Sequence, residues 1–214
     1  MPTDIHSDTF QDFDQFRKPT GNMGRQVVEG MNRSHYELTT WGLEHVQIHP
    51  TDTALDIGCG GGVTVERLAA LATNGTVYGI DHSTDCINWA STHNHKAIED
   101  GHVRILQASV EKLPFENATF DKVVAIETVY FWPDLPHSFA EVARVVKPGG
   151  QFIIIHECYA CDTFRERNEH WQKTCGMRIL APEEAGKLLK QAGFTLVETH
   201  LKEEQNWMCC IATK

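Results

Sequence analysis

The sequence predicts an α/β protein, a doubly wound and mostly parallel sheet of seven strands with the last strand antiparallel. Three observations carry this. Residues 54–62 read ALDIGCGGG, an apolar strand running into bunched glycines, and apolar positions then recur at helical spacing across 63–72. Short apolar runs go on alternating with helical segments down to residue 192. The stretch DKVVAI at 121–126 is almost continuously apolar, as a strand covered on both faces must be.

Taken in order, residues 1–20 form a polar arm with Phe10, Phe13 and Phe16 three apart on one helical face. Those rings either pack on the body or lie over a ligand. A second helical region runs from 24 to 46 and mixes apolar positions with Asn32, Arg33, His35 and Tyr36. Residues 1–49 are thus read as an arm and cap, and 50–214 as one globular unit. Pro50 and Asp52 break the pattern before a strand at 53–57. The helix after the glycines presents Val65, Leu68, Ala69 and Ala72 on one face. Asn74-Gly75 turns into a second strand, 76–80, ending at Asp81. Ser83 then caps a helix that buries Cys86, Ile87, Trp89 and Ala90. The third strand is 102–107, and a long loop leads to the fourth at 121–126. A helix over 135–146 is stopped by Lys147-Pro148-Gly149-Gly150. The fifth strand, 151–155, runs into His156-Glu157-Cys158-Tyr159, and 160–181 reads as an insertion. Pro182 opens a last helix to 192, and 194–200 with 207–212 close the chain as a hairpin.

Composition narrows the function. At 214 residues the chain fits one domain with a real core, and its net charge of −10 argues against nucleic-acid or anionic-membrane surfaces. The acidic N-terminus lacks an apolar signal core, and no apolar run approaches the ~20 residues of a membrane span. A cytoplasmic location is expected, with 7 cysteines in the reduced state. Cys158 and Cys161 form a C-x-x-C, but zinc would need two further ligands from Cys175, His156 or Cys209–Cys210. No second C-x-x-C exists, so no metal is expected.

The glycine cluster marks a nucleotide-type cofactor site, because glycines admit a ligand where a Cβ would collide and the first helical N–H groups face it. A dinucleotide fingerprint has a third glycine where Val63 stands. Asp56, two residues before Gly58, is poorly placed for a pyrophosphate and well placed for a ligand with positive charge. The Asp56-x-Gly58-Cys59-Gly60 run resembles the first motif of class I S-adenosylmethionine-dependent methyltransferases. Asp81, roughly twenty residues on, is placed for ribose hydroxyls, a feature shared with NAD enzymes. ASVEKLPFENATFD at 108–121 and VKPGG at 146–150 resemble the small-molecule methyltransferases of ubiquinone and menaquinone biosynthesis.

The resemblance implies a Rossmann-like fold with an N-terminal helical cap and methyl transfer by in-line displacement from S-adenosylmethionine to a small molecule. It also implies cofactor contacts at Asp56, Gly58, Cys59, Gly60, Asp81, His82, Ser109, Val110 and Ile126. Ser109 stands where the family has an aspartate that accepts from the adenine amino group, and a hydroxyl is the weaker acceptor. Glu127 and His156, at the ends of the fourth and fifth strands, are candidate proton acceptors, and His35 is a third. Of the aromatic run 130–132, Tyr130 is expected to face the sulfonium and Trp132 to pack on the following helix. The insertion 160–181 is expected to shape the acceptor pocket. An NAD(P)-dependent oxidoreductase and a non-catalytic cofactor-binding protein stay open as other readings. A monomer or a homodimer fits equally well.

Overall fold

The computed structural model describes residues 13–214, so Phe10 of the expected aromatic face lies outside the described residues. The seven strands, in chain order, are β1 Thr53–Ile57, β2 Thr76–Asp81, β3 Val103–Gln107, β4 Phe120–Ile126, β5 Val146–His156, β6 Leu196–Lys202 and β7 Trp207–Thr213. They form one sheet in the order β3-β2-β1-β4-β5-β7-β6. The first five are parallel to their neighbours, and β7 runs antiparallel to both β5 and β6. The chain winds outward from β1 to β3 and then crosses back to β4. The carboxyl ends of β1 and β4 therefore splay apart at a switch point, where doubly wound sheets take their ligands.

Central strands are apolar because both their faces are covered. Val123, Val124, Ala125, Ile153 and Ile154 are buried, and β4 divides its side chains between two cores. One core packs α7 (Leu135–Val145) and α9 (Pro182–Gln191) on the sheet through Phe139, Val142 and Leu189. The opposite core packs α4 (Val63–Leu71) through Val65 and Leu68. The helix α5 (Thr84–His93) starts where expected, with Ser83 Oγ accepting from Cys86 N. It buries Cys86 and Ala90, whereas Ile87 and Trp89 are half-buried.

Differences from the expected elements have local causes. The helical region before β1 is two helices, α2 (Gly21–Ser34) and α3 (Tyr36–Leu43), joined at His35, preceded by the single turn α1 (Asp14–Arg17). The strand β5 begins five residues early, because Gly149 at φ 75 folds the Lys-Pro-Gly-Gly turn back into the sheet rather than outside it. Thr195 N–H bonds to Thr213 before the ladder begins, so β6 starts at Leu196. The short helix α6 (His95–Glu99) and the helix α8 (Arg165–Cys175) complete the elements. Among the described residues, no helix is long and apolar enough to cross a membrane.

Candidate active site

A cavity of about 410 Å3 lies over the carboxyl ends of β1, β2 and β4, roofed by α2, α3 and the segment before them. Its floor is the glycine loop. Gly58 and Cys59 N–H groups both donate to Ile80 O, at 2.8 and 2.9 Å, which ties the loop to β2. Gly58 adopts φ +78, and a Cβ there would stand 2.4 Å from Thr128 Cγ2. Gly61 has no room either, since its Cβ would meet Val28 Cγ1 of α2 at 2.8 Å. The glycines thus admit two things at once, a ligand from one side and the cap helix from the other.

Asp56 is 2 % exposed, and its Oδ2 has no hydrogen-bond partner. Burial, with the Asp81 carboxylate nearby, pushes its pKa up to about 8. An unpaired carboxyl on the wall of a polar cavity is costly, and a cation placed there would offset the cost. Asp81 is committed to the protein on both oxygens, accepting from Gly60 N at 3.0 Å and Ser83 N at 2.8 Å. His82 lines the cavity and is half exposed, with Nδ1 3.6 Å from Asp81 Oδ1. Cys59, Ser109, Val110 and Ile126 also line the cavity. The Ser109 hydroxyl accepts from Glu111 N–H at 3.2 Å, so it fixes its own turn.

At the cavity wall, three titratable side chains from separate parts of the chain meet. His35 Nε2 lies 3.9 Å from Glu127 Oε2 and 3.6 Å from Glu157 Oε1. Burial alone would lower the His35 pKa, but the hydrogen bond to Glu157 and the charges of Glu127 and Glu157 outweigh it and lift the value to about 9. Burial and then Glu157 push Glu127 up to about 8, against the pull of His35. Glu127 sits at φ 59, a left-handed conformation that non-glycine residues hold only when their surroundings demand it. Here Glu127 Oε1 accepts from Glu157 N–H and from the Tyr130 hydroxyl at 3.2 Å, and these contacts fix its direction.

Two expected site residues are elsewhere. His156 does not face the cavity. It is 2 % exposed, its ring stacks on Tyr130 at 4.0 Å, and neither nitrogen has a hydrogen-bond partner. Burial lowers its pKa to about 3, with Glu157 pulling weakly the other way, so it stays neutral. The reason is strand alternation: His156 is the last residue paired with β7, opposite Met208, and Glu157 turns out toward the crevice instead. Tyr130 is also reversed. It lies beneath the wall at 2 % exposure, while Phe131 and Trp132 line the cavity. Trp132 combines both roles, since its ring also packs against Phe139 and Phe152.

Segment 160–181 lends no side chain to the cavity lining. Trp171, Met177 and Ile179 pack behind Tyr130 and Phe131 and support the wall. The cysteines weighed as metal ligands do not converge. Among the described residues, the group with metal-ligand atoms close together is His35, Glu127 and Glu157. Sequence reading missed Arg67 as a cavity group. Arg67 lines the cavity, donates to Thr40 Oγ1 at 2.8 Å and stacks over the Tyr36 ring. Its signal was its position one turn into the helix that opens on the glycine loop.

Residues 55–154 match the methyltransferase domain family. The chain thus carries a methyltransferase domain of the S-adenosylmethionine-dependent kind. It is 30% identical over 178 residues to 24-methylenesterol C-methyltransferase 2 of Oryza sativa subsp. japonica, covering 78% of this chain and 48% of that protein. Over 166 residues it is 30% identical to sterol 4-C-methyltransferase strm-1 of Caenorhabditis elegans, covering 73% of this chain and 47% of that protein. The chain thus spans about half the length of these curated relatives. A solved SAM dependent methyltransferase from Aquifex aeolicus shares the fold with a TM-score of 0.67 at 19% identity, over 94% of this chain and 98% of that one. The family match takes in Asp56, Asp81, Ser109 and Glu127 and leaves His35 and Glu157 outside.

Proposed function

We propose that this chain transfers the sulfonium methyl of S-adenosylmethionine to a small molecule by in-line displacement. The observation that carries the reading is Asp56, a buried carboxyl with one oxygen unpaired against a glycine cradle. An ammonium from the amino-acid tail of the cofactor supplies the missing partner, and a diphosphate does not. Asp81 and His82 then stand at the ribose and Ser109 and Val110 at the adenine. The methyl points toward Glu127 and the faces of Phe131 and Trp132, where cation–π attraction to the sulfonium is worth ~0.5–2 kcal/mol.

Chemistry at this site is mainly positioning. Holding donor and acceptor in line and excluding water can supply ~7–11 kcal/mol of barrier reduction in favourable cases. The His35–Glu127–Glu157 group lies at the acceptor end and takes up the proton of an acceptor that must lose one. Residues 1–49 act as the cap over this mouth, and 160–181 backs its wall. The acidic balance and the seven free cysteines support a cytoplasmic enzyme, a monomer or homodimer that binds neither nucleic acid nor membrane.

Calorimetric titration with S-adenosylhomocysteine and, separately, NADH tests the reading. Binding of the thioether at micromolar strength with no NADH signal is expected. Tight binding of NADH alone would make the chain an oxidoreductase instead. Glu127→Gln should leave thioether affinity within about threefold and lower turnover by 10²–10⁴, the usual worth of a positioned proton acceptor.

A further inference from the structure

We propose that His35, Glu127 and Glu157 form a site for one divalent first-row transition ion, such as Mn(II), Fe(II), Co(II) or Zn(II). The ion would hold an oxygen of the methyl acceptor. This rests on the methyl-transfer reading and deepens it, since it names the acceptor's class: a phenol, enol or other hydroxyl compound whose oxygen becomes a metal-bound anion.

Geometry carries the argument. The three side chains come from the α2–α3 junction, the end of β4 and the residue after β5, and their ligand atoms lie within 4.8 Å of one another. An ion with metal–ligand distances of about 2.1 Å sets neighbouring ligand atoms about 3.0–3.4 Å apart. The separations here are 3.6 and 3.9 Å. Closing these two takes a few tenths of an ångström of carboxylate rotation, the two carboxylates, within 4.8 Å of each other, draw in by the same motion, and terminal carboxylate torsions are soft. One imidazole with two carboxylates is a mixed donor set, which suits these ions better than Mg2+ or Ca2+, whose sites are built of oxygen alone.

A second observation is independent of the clustering. The two oxygens of Glu127 are divided. Oε1 accepts from the Tyr130 hydroxyl and from Glu157 N–H, while Oε2 is turned toward His35. Tyr130 is in turn clamped by Cys158 N–H at 3.1 Å and stacked on His156. A carboxylate locked through one oxygen and presenting the other is the outer-shell arrangement that orients metal ligands. All three ligand residues are only partly buried, with side-chain exposures of 16, 10 and 25 %; His35 and Glu127 line the cavity, and Glu157 stands against His35 beside it.

The step balances without a further reactant. Ion binding first displaces to solvent the protons that His35 and Glu127 hold without it; the acceptor hydroxyl then binds the ion, and its proton leaves to solvent rather than to these side chains. The oxygen then attacks the sulfonium methyl, forming the O–C bond as the S–C bond breaks. The bonding pair passes to sulfur, giving the neutral thioether. The ion changes neither charge nor oxidation state. Its part is Lewis-acid activation and templating.

The experiment is calorimetric titration of the purified, chelator-treated full chain with ZnCl2, MnCl2 and MgCl2, with and without S-adenosylhomocysteine. Expected is one site per chain for Zn(II) or Mn(II), at least tenfold tighter than Mg(II). Glu157→Gln and His35→Gln should weaken it at least thirtyfold while leaving thioether affinity within about threefold. Should either variant fail to fold, the visible spectrum of the Co(II)-loaded wild type decides. Bands of a nitrogen- and oxygen-ligated Co(II) support the site, and the hexaaqua spectrum overturns it. Absence of a site in wild type, or equal affinity in the folded variants, also overturns it. Thioether binding without ion binding defeats this inference and spares the methyl-transfer reading; loss of thioether binding defeats that reading itself.

Discussion

Asp56 shows at the residue scale how a fold stores a functional cost. Its folded-state pKa of about 8 lies above the ordinary carboxylate value of 3.8, first through burial and then through Asp81. For this group the sign is fixed: its contribution to stability is complete below the unfolded value and is lost as pH rises from about 4 to about 8. Asp56→Asn removes that loss. At pH 8 the ligand-free variant should melt above wild type, with each kcal/mol worth roughly 2–4 °C in a chain of this size. The same change should weaken S-adenosylhomocysteine at least tenfold. Gly58→Ala should do the reverse of stabilising. A side chain at φ +78 costs about 1–2 kcal/mol before the clash with Thr128, and a urea midpoint will register it.

At this scale, legibility depended on alternation. Asp56, Gly58, Cys59, Gly60, Asp81 and Glu127 were readable because each stands at a strand end or turn whose direction the pattern sets. His156 was not. Whether the last strand residue or its successor faces the crevice turns on one residue of register, and pairing with Met208 decides it. Tyr130 turned inward, and Trp132 reached the cavity as well as packing on Phe139, because the short turn Val129–Phe131 rotates the run in a way apolar composition cannot encode.

Among the elements, the N-terminal helices pack on the sheet through Leu38 and Leu43 and are tied to α4 and α5 by a few polar contacts. Ser83 Oγ caps α5 and donates to Pro19 O at 2.8 Å, Gly21 N–H donates to Asp85 at 2.7 Å, and Arg67 reaches across to Thr40 at 2.8 Å. One serine thus joins the start of α5 to the roof of the cavity. Ser83→Ala should cost about 0.5–2 kcal/mol from the lost cap and free the segment around Pro19. Limited proteolysis should then cut near residues 17–20 faster than in wild type, with saturating S-adenosylhomocysteine slowing the cut. Equal cleavage rates would mean the cap is held by packing alone. The sequence pattern showed these helices as one segment. Their break at His35 is a tertiary choice, since it turns that imidazole toward Glu127 and Glu157.

On the scale of the whole molecule, the seven strands, their parallel run and the antiparallel closing hairpin were all legible, the central strands because burial on two faces leaves a continuous apolar signature and the exposed edge strands β3 and β6 from their place in the alternation of elements. The sheet order places Asp56 at the end of β1 and Glu127 just past the adjacent β4, both on the wall of one cavity. A ligand that binds only the folded chain adds about 2.7 kcal/mol at a hundredfold excess over its Kd, so S-adenosylhomocysteine should raise the melting temperature measurably. The most direct measurement is S-adenosylhomocysteine affinity by calorimetry at pH 6.0 and 7.5, in wild type and Asp56→Asn. Because an ammonium favours the ionised carboxyl, wild-type affinity should climb by up to about tenfold per pH unit across that range. The variant should bind weakly and show a much smaller pH dependence. Equal affinities for the two proteins, at both pH values, would contradict the account.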